Sequence, residues 1–137
     1  MNATVLADTG PLYALADPSD QFHDRASAEL AALERRGFLV AVSYPVLCEA
    51  YTLVLRRLGG GYARQWLAQM LDGALLLNSE PADYSFAAAQ LERFPDHPIT
   101  LVDAVTATMS RRLEAPVWSF DRHFVTLRVK LWRPPSR

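Results

Sequence analysis

The sequence predicts an α/β domain of three layers, helices on both faces of a central parallel sheet of four to five strands. Three observations carry that prediction. Short apolar runs bounded by turn residues alternate with longer stretches of helical apolar spacing, the pattern of successive strand–helix units. The first run, residues 3–7, stops at a carboxylate, Asp8, and Thr9-Gly10-Pro11 then lead straight into a helical pattern. Three further acids fall at comparable strand-end or helix-start positions, on the sheet edge where open α/β proteins bind ligands.

Taken in order, residues 3–7 are a short buried strand. Residues 9–16 form a helix with Pro11 in its first turn, where a missing N–H is harmless. Asp17-Pro18-Ser19-Asp20 is a turn. Residues 20–36 are helical, with Phe22, Ala26, Leu30 and Leu33 on one apolar face, and Gly37 ends them. Residues 38–43, rich in β-branched and aromatic side chains, are the second strand. A Pro45-led helix runs to Leu58, and Gly59-Gly60-Gly61 separates it from a helix over 62–72. Residues 74–77 are a third strand, and 81–94 a helix with Phe86 and Leu91 inward. After the Pro95–Pro98 loop come a helix over 100–113, a strand over 116–120, a short helix over 121–126 and a last strand over 128–132; the terminus beyond is expected to fray.

One domain spanning 1–137 is expected, long enough for a real core. Half the residues are apolar and 21% are charged, ordinary for a globular protein. No apolar run reaches membrane-spanning length, and the first apolar run lacks a basic leader and is broken by Asp8, unlike a secretory signal. Cys48 stands alone, so neither an internal disulfide nor zinc-type spacing exists. A cytoplasmic protein is expected. The net charge of −1 announces no nucleic-acid binder, but of 14 basic residues all except Lys130 are arginine. The pairs Arg35-Arg36, Arg56-Arg57 and Arg111-Arg112 are either phosphate forks or complements to helix C-terminal dipoles.

Four carboxylates share the strand-end edge: Asp8, Glu49, Asp103 and Asp121. Singly, three have structural explanations. Asp8 and Asp121 suit helix N-caps, and Asp103 completes a capping-box-like Thr100-Leu101-Val102-Asp103. Glu49 differs. It lies in the apolar stretch Val46-Leu47-Cys48-Glu49-Ala50-Tyr51 with no base at i±3 or i±4, so its partner must come from elsewhere in the fold. Jointly, four acids at one edge would repel or protonate, and divalent cations remove the conflict. Oxygen ligation without a Cys or His cluster favours Mg²⁺ or Mn²⁺ over zinc. Carboxylate-held cations about 4 Å apart activate water for phosphodiester hydrolysis. No nucleophile-elbow, P-loop or dinucleotide-binding motif is present.

These residues resemble the PIN-domain ribonuclease family, in particular VapC-type toxins of toxin–antitoxin pairs. The resemblance lies in Leu6-Ala7-Asp8-Thr9-Gly10-Pro11-Leu12, Glu49, Leu101-Val102-Asp103-Ala104 and Ser119-Phe120-Asp121-Arg122-His123-Phe124, and it covers the whole chain in order. It implies a PIN-like fold and magnesium-dependent cleavage of single-stranded or looped RNA. It implies Asp8 and Asp103 as direct Mg²⁺ ligands, Glu49 and Asp121 completing the shell directly or through water, and Thr9 and Ser119 hydrogen-bonding the carboxylates or a water. Gly10 takes the small-residue place after the hydroxyl. Asp96 falls where members often carry an acid and is expected as a turn residue. His123 is expected to pack or hydrogen-bond rather than act as a base, since cation-activated water needs none. Asp20 and His23 are expected at a solvated helix start.

The resemblance also implies a homodimer and a cognate antitoxin whose C-terminal segment lies over the acids and sets an arginine among them. The stripe Tyr62, Trp66, Leu67, Met70 and Leu71 serves such a contact or an ordinary core face. The main rival is a non-catalytic PIN-like RNA-binding or scaffold module. A haloacid-dehalogenase-like phosphatase needs an acid where Gly10 stands, and a receiver domain needs an acid pair at the first strand.

Overall fold

The computed structural model describes residues 3–135; Met1, Asn2, and the Ser136 and Arg137 of the terminus expected to fray, lie outside the described residues. The element order is β1 (Thr4–Ala7), α1 (Thr9–Ala16), α2 (His23–Arg35), β2 (Leu39–Ser43), α3 (Tyr44–Leu58), α4 (Gly60–Gly73), β3 (Leu75–Leu77), α5 (Pro81–Arg93), α6 (Leu101–Leu113), β4 (Val117–Trp118) and α7 (His123–Thr126). The four strands form one parallel sheet in the order β3-β2-β1-β4.

Burial on both sheet faces follows from the pleat, which sends alternate side chains to opposite sides. Val5 and Ala7 enter one core layer with Leu12, Leu33, Val46, Val54 and Trp118. Leu6, between them, enters the other with Ala104, Val105 and Met109 of α6. A third cluster, Ile99, Ala107, Val117, Phe124 and Leu127, closes the β4 side.

The topology positions the site. From β1 the chain winds outward through β2 to β3, then returns to lay β4 on the other side of β1. The winding reverses between β1 and β4, and the crevice at such a reversal is where open α/β sheets hold ligands.

Several expectations are corrected. The strand over 116–120 shortens to Val117–Trp118, because Ser119 turns inward to bond Asp8. The expected last strand is only a bridge between Val117 and Leu131, and Arg128 before it has φ 57°, which breaks extended pairing. Only Gly59 of the triple glycine turns the chain, at φ 90°; Gly60 and Gly61 already belong to α4. Helix α2 starts at His23, three residues late, because the Asp20 carboxylate accepts the Phe22 N–H at 2.9 Å and holds a turn there. Phe86 does not face inward; it is 65% exposed, while Asp83 and Ala87 are the buried residues of α5. On α4, Trp66 is buried and Leu67 and Met70 pack on the core, whereas Tyr62 and Leu71 stay exposed.

Candidate active site

Asp8 ends β1 at the N-cap position of α1, with extended backbone and no side-chain cap bond. Its Oδ2 accepts a 2.7 Å bond from Ser119 Oγ. Its Oδ1 is buried and has no partner; Thr106 Oγ1 is the other such atom among the described residues. Burial pushes the Asp8 pKa from 3.8 up to about 6; the Ser119 hydrogen bond and the nearby Thr9 backbone N–H oppose this, and the charges of Asp103 and Glu49 add to it.

Three other buried acids have both carboxylate oxygens hydrogen-bonded. Asp17 accepts from Tyr13 Oη at 2.6 Å and from Ser19. Glu29 accepts from Trp118 Nε1 at 2.9 Å and Arg25 Nε at 2.8 Å. Asp83 takes a two-pronged contact from Arg112, at 3.0 and 2.8 Å, which holds its carboxyl below the usual range. Among the described residues, Asp8 Oδ1 is the one carboxylate oxygen that is shut off from solvent and has no hydrogen-bond partner.

Glu49 reaches the same place from α3. Ser43, the last residue of β2, caps that helix by accepting the Val46 N–H, so the helix starts at the sheet edge and Glu49 sits in its second turn. The expected partner from elsewhere is Thr9, whose Oγ1 donates to Glu49 Oε1 at 2.6 Å. Asp103 is the third residue of α6. Thr100 Oγ1 accepts its N–H at 3.1 Å, and Asp103 Oδ2 accepts the Thr100 N–H at 3.4 Å, completing the capping box. Asp121 also serves locally: its Oδ1 accepts the His123 N–H at 2.8 Å. Asp103 thus fills the capping-box place expected of it, whereas the N-cap of α7 is Arg122, not Asp121, because the chain makes a turn on the Asp121 carboxylate and the helix starts only at His123.

Two groups tie the cluster. Ser119 Oγ donates to Asp8 and accepts the Asp121 N–H at 2.9 Å. His123 Nδ1 lies 3.0 Å from Asp103 Oδ2 and 3.4 Å from Asp121 Oδ1. Ionised carboxylates only accept, so this nitrogen meets them as a donor in the tautomer that carries its N–H at Nδ1. Ligand atoms of Asp103, Asp121 and His123 lie within 4.8 Å of one another, close enough to share an ion; Asp8 and Glu49 are not part of that group.

All four acids of the sequence analysis line one cavity of about 630 Å³. His123 and Asp20 line it too, whereas Asp96 is exposed in its loop and outside it. His23 is turned to α1, its Nδ1 at 2.7 Å from the Ala14 carbonyl. Tyr13, Gln21, Phe22 and Leu53 line the cavity as well, none of them expected there from the sequence, and so do Phe120 and Arg122 beside Asp121 and Arg57 of one arginine pair. For Phe22 a signal existed: Asp20, two residues before it, is a turn-former that delays the helix and frees the ring from its inward face.

Fold and site together describe a PIN-like α/β domain with an acid-lined cleft at its switch point. Several solved structures share this fold over nearly the whole chain. VapC20 of Mycobacterium tuberculosis, a Sarcin-Ricin loop cleaving toxin, matches with TM-score 0.84 at 23% identity, over 95% of this chain and 99% of that one. VapBC2 of Rickettsia felis, bound to a DNA fragment from its promoter, matches with TM-score 0.73 at 15% identity, over 95% and 97%. FitAcB of Neisseria gonorrhoeae matches with TM-score 0.68 at 20% identity, over 95% and 97%. No protein-family model and no curated protein matches the chain.

Proposed function

We propose that this chain is a divalent-metal-dependent endoribonuclease and the toxin of a toxin–antitoxin pair. The observation that carries this reading is the buried, unpartnered Oδ1 of Asp8 in a cavity that Glu49, Asp103 and Asp121 also line. A fold that satisfies Asp17, Glu29 and Asp83 with protein donors leaves one oxygen for a donor it does not itself supply. The oxygen-rich donor set fits Mg²⁺, with Mn²⁺ as a substitute. Asp8 and Asp103 are the direct ligands in this reading, with Glu49 and Asp121 completing the shell. A cation bound there supplies Lewis-acid activation of the phosphate and of the attacking water.

The chain's own residues do the rest. Ser119 fixes the Asp8 carboxylate, Thr9 fixes Glu49, and the Thr100 capping box fixes Asp103. His123 bridges Asp103 and Asp121, which lowers their mutual repulsion and sets their spacing. The likeness to the VapC20 toxin supports RNA as substrate. The likeness to VapBC2 and FitAcB supports a cognate antitoxin as partner. A homodimer completes the proposal.

The test is cleavage of purified RNA by the chain freed of antitoxin, with Mg²⁺ or Mn²⁺ against EDTA. Metal-dependent cleavage is expected, and Asp8→Asn or Asp103→Asn should lower it by more than about a hundredfold while the circular dichroism spectrum stays native. Absence of cleavage with either metal would favour the non-catalytic module. Wild-type activity in one of the mutants would remove that residue from the site.

A further inference from the structure

We infer that Phe22 is a stacking surface for one unpaired nucleobase of the strand held in the acid cavity. The inference rests on the nuclease reading and adds the feature by which the site grips its substrate. Helical spacing puts Phe22 in phase with Ala26 and Leu33, which are fully buried, yet Phe22 is 39% exposed and lines the cavity with the four acids. Its backbone is pinned on both sides. The N–H donates to Asp20 Oδ2 at 2.9 Å, and the carbonyl accepts the Ala26 N–H at 2.9 Å.

The ring is supported from behind. Its centroid lies 5.4 Å from that of Phe120, at a 40° tilt. Phe120 is itself held by the Arg25 guanidinium, 4.3 Å from its ring centre. Phe22 is therefore a braced aromatic surface with little conformational freedom left to lose on binding.

The ligand must suit what surrounds that ring. Beside the carboxylates, Arg57 and Arg122 also line the cavity, both exposed and neither in an ion pair among the described residues. A flat apolar face beside cation-binding acids and two guanidinium groups matches a nucleic acid strand, whose phosphates meet the arginines and whose bases stack on aromatic rings. A base still paired in a duplex has no free face to offer, so the stacked nucleotide is unpaired.

The test uses the full chain carrying Asp103→Asn, with Mg²⁺, so that the strand is not cut. Fluorescence anisotropy compares a labelled single-stranded oligoribonucleotide of about ten nucleotides with the same sugar–phosphate backbone lacking its bases. The base-bearing strand should bind tighter by roughly tenfold or more. Adding Phe22→Ala should bring the two strands within about threefold by weakening only the base-bearing one, and Phe22→Tyr should restore the difference. Phe22→Leu, which keeps an apolar contact with Phe120 but has no ring face, should behave like Phe22→Ala. A preference that survives Phe22→Ala and Phe22→Leu overturns the inference. So does equal weakening of both strands, or loss confined to binding of a protein partner. Cleavage of RNA by the unmutated chain is read separately: cleavage without base preference rejects the stacking surface alone, and base preference without cleavage rejects the nuclease reading alone.

Discussion

Asp8 is held in the fold against its own charge. Its pKa rises from 3.8 to about 6 chiefly because it is buried. A carboxyl raised in the folded state adds stability below its unfolded pKa and loses it as pH climbs through the folded value. In metal-free protein, the Asp8 contribution is therefore fully present below about pH 4 and gone above about pH 6, a loss of about 3 kcal/mol. Asp8→Asn keeps an acceptor for Ser119 and carries no charge. In EDTA it should match the wild type near pH 4 and exceed it by about 1–3 kcal/mol at pH 7, as chemical denaturation would measure. A wild type that gains on the mutant between those pH values would reverse the sign and exclude charge burial at Asp8.

Elements aim the acids, and each relies on its own local device. The Thr100 capping box both starts α6 and orients Asp103. Thr100→Ala should lower stability by about 1 kcal/mol through loss of the cap. It should also lower RNA cleavage, whereas Thr52→Ala, at an exposed α3 position, should leave cleavage alone. A cleavage rate untouched by Thr100→Ala would separate capping from catalysis. Helices α5 and α6 are joined by the buried Asp83 and the exposed Arg112. Arg112→Ala strands that carboxylate and should destabilise the chain by about 2–4 kcal/mol. Asp83→Asn together with Arg112→Leu should recover part of that loss, and a double mutant no better than the single would exclude a stranded charge as the cause.

At the scale of the whole molecule, β1 and β4 bring positions 8 and 121 together, while α3 and α6 deliver Glu49 and Asp103 to the same crevice. A cation that binds there links β1, α3, α6 and the turn after β4, so it should stabilise the fold as one unit. At a hundredfold excess over its dissociation constant, Mg²⁺ should add about 2.7 kcal/mol, seen as a rise in Tm that EDTA reverses. The rise should shrink in Asp103→Asn. A Tm indifferent to Mg²⁺ and Mn²⁺ would remove the metal from the proposal. Among the described residues, no helix is long and apolar enough to cross a membrane.

The parallel sheet between two helical layers, and the four acids at its edge, were legible in the chain because they are written in short-range terms. Strand length, helical period, a proline at a helix start and an acid directly after an apolar run all act over a few residues. Local pattern erred where a distant partner decided the outcome. Ser119 leaves the expected strand for Asp8, 111 residues away in sequence. Phe22, in phase with a core face, is turned outward by Asp20 and braced by Phe120. Phe86 is apolar at an inward-reading position, yet α5 buries Asp83 there because Arg112 of α6 meets it. The sequence alone thus determined which groups stand at the sheet edge. Only the tertiary structure decided which oxygen goes unpartnered and which ring faces the cavity, because both depend on contacts between segments that no local period relates.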